Sequence, residues 1–158
     1  IYAVAGTYTI QLTATTVYGC TQSTTRTITS YPLPTASFSA PAACAGSPVT
    51  FDNTSTVQGG SIAFTAWNLG GGINSTLNEP VWSYSGAGTY PVSLVVISGN
   101  GCRDTVNGTV QIHPLPSPSF TAPDVCLNSS TSFTDLSTIS SGTFSRVSWL
   151  AISRPMRP

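Results

Sequence analysis

Lysine is missing from all 158 residues, and charged residues make up only 6% of the chain, five arginines against five acids. Soluble domains usually carry roughly 25% charge. So sparse a basic complement cannot line a phosphate backbone, which excludes nucleic acid as a partner. No apolar run approaches the roughly 20 residues needed to cross a bilayer, so no membrane span is expected in this stretch. No Gly-x-Ser-x-Gly elbow, His-Glu-x-x-His pair or phosphate-binding glycine loop occurs. The acids Asp52, Glu79, Asp104, Asp124 and Asp135 are scattered without paired spacing and read as solvated turn and edge residues. A calcium cage needs clustered oxygens, so neither a metal nor a cofactor is expected. With no catalytic constellation, the chain reads as a non-enzyme.

What is present is self-similarity. Ala5-Gly6-Thr7-Tyr8 returns as Ala87-Gly88-Thr89-Tyr90, an offset of 82 residues. The same offset carries Gly19-Cys20 onto Gly101-Cys102, Pro32-Leu33-Pro34 onto Pro114-Leu115-Pro116, and Cys44 onto Cys126. Phe38 falls on Phe120, Phe51 on Phe133 and Trp67 on Trp149, with no gap anywhere. This reads as a tandem duplication. The Pro-Leu-Pro tripeptides punctuate it, because proline lacks the donor a central strand requires. Cutting there gives the tail of one repeat (1–33), a complete repeat (34–115) and the head of a third (116–158). The chain starts in mid-repeat, so any export signal is expected upstream of Ile1. From 150 to 158 the repeat fails: two of the five arginines and the only methionine stand against a glycine-rich stretch in the earlier copy. That break reads as a reading-frame slip or an assembly end.

Strand signals dominate the complete repeat. Segments 36–40, 49–54, 62–69, 81–84, 89–96 and 104–112 are predicted strands. Val49 and Phe51 share one face; Tyr90, Val92, Leu94 and Val96 share another at period two. Gly70-Gly71-Gly72 breaks the third strand, and Ser98-Gly99-Asn100-Gly101 is a hairpin turn signal. No helical period is sustained. About seven short strands in 82 residues imply an all-β Greek-key sandwich, with Phe51, Trp67, Tyr90, Val92 and Leu94 facing inward.

These residues resemble the PKD (polycystic kidney disease) domain. That family carries a Trp-Asp-Phe-Gly-Asp-Gly-like turn; the matching stretch is Trp67-Asn68-Leu69-Gly70-Gly71-Gly72, followed by Tyr84 and Gly88-Thr89-Tyr90. The resemblance covers 34–115 fully and both flanks in part. Both acids of the signature are replaced, by Asn68 and Gly71. A cysteine before the second strand and Gly-Cys in the last hairpin are similar to repeats of large secreted proteins of Bacteroidetes-type bacteria. The resemblance implies an immunoglobulin-like, PKD-type sandwich in tandem repeats. Its expected role is a structural or adhesive stalk on an extracellular or cell-surface protein, with neighbouring repeats as partners. The alternative is a carbohydrate- or protein-binding accessory module of a secreted hydrolase.

His113 lies beside Pro114, where the first copy has Tyr31, and reads as a linker residue. Trp67 and Trp149 are expected in the core. Trp82 has two readings: packing in the core or at a sheet edge, the simpler one, or an exposed platform stacking on a polysaccharide. Cys20, Cys44, Cys102 and Cys126 recur in register and point to disulfides in an oxidising compartment. Two pairings stay open: Cys44 with Cys102 inside the complete repeat, or a staple between neighbouring repeats.

Overall fold

The computed structural model describes residues 2–150; the divergent run at 150–158 therefore lies, apart from Leu150, outside the described residues. The chain opens with a hairpin of β1 (Gly6–Thr15) and β2 (Thr21–Ser30), paired antiparallel from Gly6↔Ser30 to Thr15↔Thr21. The central repeat contains β3 (Phe38–Ser39), β4 (Ala43–Cys44), β5 (Pro48–Thr50), β6 (Asp52–Asn53) and β7 (Ile62–Asn68). It continues with β8 (Asn74–Ser75), β9 (Val81–Ser83), β10 (Gly88–Ser98) and β11 (Arg103–His113). Two short strands follow, β12 (Phe120–Thr121) and β13 (Thr134–Asp135).

Residues 34–115 form a two-layer sandwich. One layer has the order β4-β11-β10-β7-β8, antiparallel except for β4, which runs parallel to the end of β11. The other pairs β3 with β6 and β5 with β9. β5 and β6 are one run interrupted at Phe51, whose amide instead donates to the Pro80 carbonyl at 3.0 Å. Strand alternation supplies the inward faces: Val92, Leu94 and Val96 from β10, and Val110 and Ile112 from β11. Val49, Phe51, Trp67, Leu69 and Tyr84 meet them; every buried apolar side chain among the described residues lies between Pro34 and Ile112. Tyr90, expected inside, is partly buried and packs against this core.

The structure departs from the sequence expectations in instructive ways. The predicted strand over 36–40 shortens to β3, and β4 follows it, a parallel pairing that no alternation announces. Phe64 faces outward at 47% exposure while Thr65 and Trp67 turn in, as period two demands of neighbours. In the first hairpin β1 alternates Tyr8, Ile10 and Leu12 with Thr9, Gln11 and Thr13, yet Ile10 and Leu12 stay exposed, because no second layer lies over them among the described residues. In the last segment Phe120 and Phe133 stand 5.4 Å and 5.5 Å from Trp149. Their counterparts Phe38 and Phe51 stand 5.4 Å and 5.9 Å from Trp67. The aromatic trio therefore assembles in both places, but Trp149 is half exposed where a core position was expected. Among the described residues no strands cover Trp149 as β10 and β11 cover Trp67.

Candidate functional site

The signature turn is built for shape. The Trp67 indole N–H donates to the Leu77 carbonyl at 3.0 Å, and the Thr65 hydroxyl donates to the Thr76 carbonyl at 3.2 Å. Asn68 Oδ1 accepts the Gly70 amide at 2.9 Å, so a neutral side chain closes the turn where the family signature has an acid. Gly70, Gly71 and Gly72 follow with φ of 80°, 60° and 83°, the left-handed region that glycine enters without a Cβ penalty. Gly70 is also pressed against β10: a Cβ there would meet the Pro91 carbonyl oxygen at 2.8 Å.

The buried Tyr84 hydroxyl donates to the Leu69 carbonyl at 2.6 Å, tying the turn to the strand ahead of β10. Burial, and secondarily the Tyr90 ring nearby, raise the Tyr84 pKa above its ordinary 10.0. The folded state thus holds this proton more tightly than the unfolded chain does. Its contribution is complete below the ordinary tyrosine value and is lost as pH climbs through the raised one. Tyr84→Phe is expected to cost about 1–2 kcal/mol, since the Leu69 carbonyl loses its donor in a dry setting. In urea titrations the variant should also show a flatter decline in stability above pH 10 than the parent, a window set by that ordinary value.

The two ends of the sandwich, its poles, are chemically distinct. At the N-terminal pole the Ala36 amide donates to Asp104 Oδ2 at 2.8 Å, beside the β10–β11 hairpin. That bond, then the Thr105 amide, lowers the Asp104 pKa. Asp104, expected to be a solvated edge residue, also holds the backbone at Ala36, 68 residues away and two residues before β3. At the opposite pole the Ala45 amide donates to the His113 carbonyl at 2.9 Å and the Gly46 amide to the Tyr84 carbonyl at 2.7 Å. His113 itself is exposed and ends β11, as a linker residue would.

The cysteines divide between these poles. Cys44 lies on β4 in register with His113, whereas Cys102 immediately precedes β11 at its other end. Cys102 N donates to Ser98 Oγ at 3.2 Å, and Cys20 N donates to Thr16 Oγ1 at the same 3.2 Å. Likewise the Ser47 amide donates to the Cys44 carbonyl and the Ser129 amide to the Cys126 carbonyl, both at 3.0 Å. All four sulfurs are free thiols in the structure.

Trp82 sits on β9 opposite Val49 and is 38% exposed. Directly opposed residues share a face. Trp82 is therefore a rim residue on the Val49 face, with more than a third of its surface open to solvent. Among the described residues no three His, Cys, Asp or Glu side chains converge on a point, and no helix is long and apolar enough to cross a membrane. A cleft of about 520 Å³ separates Tyr2, Val4, Tyr31 and Leu33 from Thr35 and the Thr56–Gln58 loop. It lies where the first hairpin meets the N-terminal pole of the central repeat.

Fold and signature turn together define an all-β module of the immunoglobulin-like sandwich class. The PKD domain family model matches residues 31–113, and the chain belongs to that family. Pre-pro-metalloprotease PrtV of Vibrio cholerae is 39% identical over 67 residues, 42% of this chain and 7% of that protein. A microbial collagenase of Vibrio alginolyticus is 37% identical over 71 residues, 44% of this chain and 9% of that protein. The chain thus spans less than a tenth of either relative. Among solved structures, the PKD1 domain of Vibrio anguillarum Epp is 34% identical with a TM-score of 0.49, covering 52% of this chain and 96% of that one.

Proposed function

We propose that this chain is a run of non-catalytic stalk repeats, divided as 1–33, 34–115 and 116–158, from a secreted or cell-surface protein. The observation that supports this reading best is polarity: the polypeptide enters the central sandwich beside Asp104 and leaves it at His113, at the far end of an 11-residue strand. A module threaded from pole to pole extends a chain, whereas one whose termini meet at one pole decorates it. The cleft against Thr56–Gln58 brings residues 2–5 and 30–33, which occupy C-terminal-pole positions in the repeat, toward the N-terminal pole of the next. Repeated head to tail, such modules would hold a distal domain away from its anchor. The low charge, the register of the cysteines and their resemblance to Bacteroidetes-type repeats agree with an extracellular setting. No cofactor, metal or nucleic acid enters the reading.

Small-angle scattering tests it. Duplicating residues 34–115 in place, between 115 and 116, should lengthen the particle by roughly 35–40 Å, the span of an 11-residue strand at about 3.3 Å per residue plus its turn. Growth of half that or less, from modules folding back side by side, would refute a stalk.

A second reading rests on the relatives, a metalloprotease and a collagenase: an accessory module that guides a secreted hydrolase to its polymer. The half-open edge of Trp82 is the surface it would use. Retention on insoluble polysaccharide or collagen, lost on Trp82→Ala, would favour it over the stalk.

A further inference from the structure

We infer that consecutive repeats are joined by a disulfide running from the β4 cysteine of one repeat to the hairpin cysteine of the next. The inference rests on the head-to-tail reading above and adds a covalent bond to it.

The intramodular pair is excluded by length. Cys44 is registered with His113 at one end of β11 and Cys102 abuts Arg103 at the other. Eleven residues at about 3.3 Å each place them roughly 35 Å apart. A disulfide requires Cα atoms within about 7 Å, and no rotamer change bridges the difference. Yet both positions recur at the 82-residue offset with the same local bonds. Two cysteines, each held in the same turn as its counterpart 82 residues away, one at each pole and too far apart to join, are placed to meet across a junction.

The junction geometry agrees. Cys102 sits beside the anchor of Ala36 to Asp104, where the linker Pro32-Leu33-Pro34 delivers the chain. The Cys44 turn sits beside Tyr84, through the Gly46 amide. Tyr2, which occupies the Tyr84 position of the first repeat, lines the cleft facing the second. A β4 cysteine of the first repeat would therefore lie on that cleft. In this chain each junction holds only one of the two: Cys102 at the Pro32–Pro34 linker, Cys44 at the Pro114–Pro116 linker. The chemistry balances with a disulfide oxidant such as oxidised glutathione. Two cysteine thiols lose two protons and two electrons to form the S–S bond, and the oxidant is reduced to two thiols. A bond across each short linker would limit hinge bending and keep the stalk straight under load.

The full chain carrying residues 34–115 twice in tandem brings both partners to one junction. In it Cys20 and Cys126 are replaced by serine and two cysteines are kept in either of two arrangements. With Cys44 kept in the first copy and Cys102 in the second, oxidised glutathione should take titratable thiols from two to none, with one cross-copy peptide by mass mapping. With Cys102 kept in the first copy and Cys44 in the second, both thiols should stay free. Both variants have the same composition, so a folding defect shows as a matched loss of strand signal in circular dichroism. The unduplicated chain should yield no Cys44–Cys102 peptide within one molecule. Free thiols in the first arrangement, a bond in the second, or an intrachain Cys44–Cys102 bond would each overturn the staple. Scattering from the same samples separates the two ideas: a particle that lengthens by a full repeat but keeps its thiols leaves the stalk standing and removes the staple alone.

Discussion

Trp67→Ala should cost the central repeat about 3–5 kcal/mol, the range for truncating a fully buried large aromatic. A domain of this size is stable by only about 5–15 kcal/mol, so the loss removes from roughly a fifth to all of that reserve and should lower the urea midpoint accordingly. The magnitude follows from where the ring lies. Trp67 is 2% exposed, packs edge-on to Phe38 at 5.4 Å and against Phe51 at 5.9 Å, and spends its N–H on the Leu77 carbonyl. Removing it opens a cavity between two layers that cannot collapse, because β7 is held in the sheet by β10. Trp149→Ala is the internal control. Its ring contacts the same two partner types but is 51% exposed, so the main urea transition should move by well under 1 kcal/mol, as surface substitutions do. Equal effects from the two tryptophans would mean that the segment after Pro116 is part of the same core.

Gly70→Ala should be comparably damaging, at roughly 2–5 kcal/mol, from two costs that add at one atom. A residue with a Cβ at φ of 80° gives up about 1–2 kcal/mol to backbone crowding. The new methyl would also stand 2.8 Å from the Pro91 carbonyl and 3.4 Å from Tyr90 Cβ, forcing β10 away from the turn; overpacking of this kind costs about 1–3 kcal/mol. Gly71→Ala separates the terms. Its φ of 60° carries the backbone cost, yet nothing lies within 4 Å of a Cβ there, so about 1 kcal/mol is expected. The pair, read by denaturation midpoint, tells whether the turn is held in shape by conformation alone or by its contact with β10 as well.

Much of this architecture is legible in the sequence because its cause is local. Alternation in Tyr90-Pro91-Val92-Ser93-Leu94-Val95-Val96 needs only period two to name β10 and its inward face, and Gly99-Asn100-Gly101 names the hairpin. The glycine run after Trp67 likewise announces a turn. What escapes is set by partners distant in the chain. Nothing near Asp104 reveals that it caps the Ala36 amide. Nothing in Pro41-Ala42-Ala43-Cys44 reveals a parallel ladder with β11. Gly108 is another such case: the Phe38 ring tip stands 2.8 Å from where its Cβ would be, while the first hairpin has Arg26 at that offset. Burial fails for the same reason. The sequence of β1 encodes an inward face, but only an opposing layer can bury it. Spacing alone leaves the cysteine pairing open, and it gives no sign that β11 puts Cys44 and Cys102 at its opposite ends.

Amide hydrogen exchange on the full chain bears most directly on a sandwich that closes within one repeat. The amides of Leu94, Val96, Val110 and Ile112 should exchange slowest and together, as one cooperative unit, with those of Gly6–Ser30 exchanging faster. Equal protection of the first hairpin and of β10–β11 would contradict it, because the core would then extend beyond the Pro-Leu-Pro linkers.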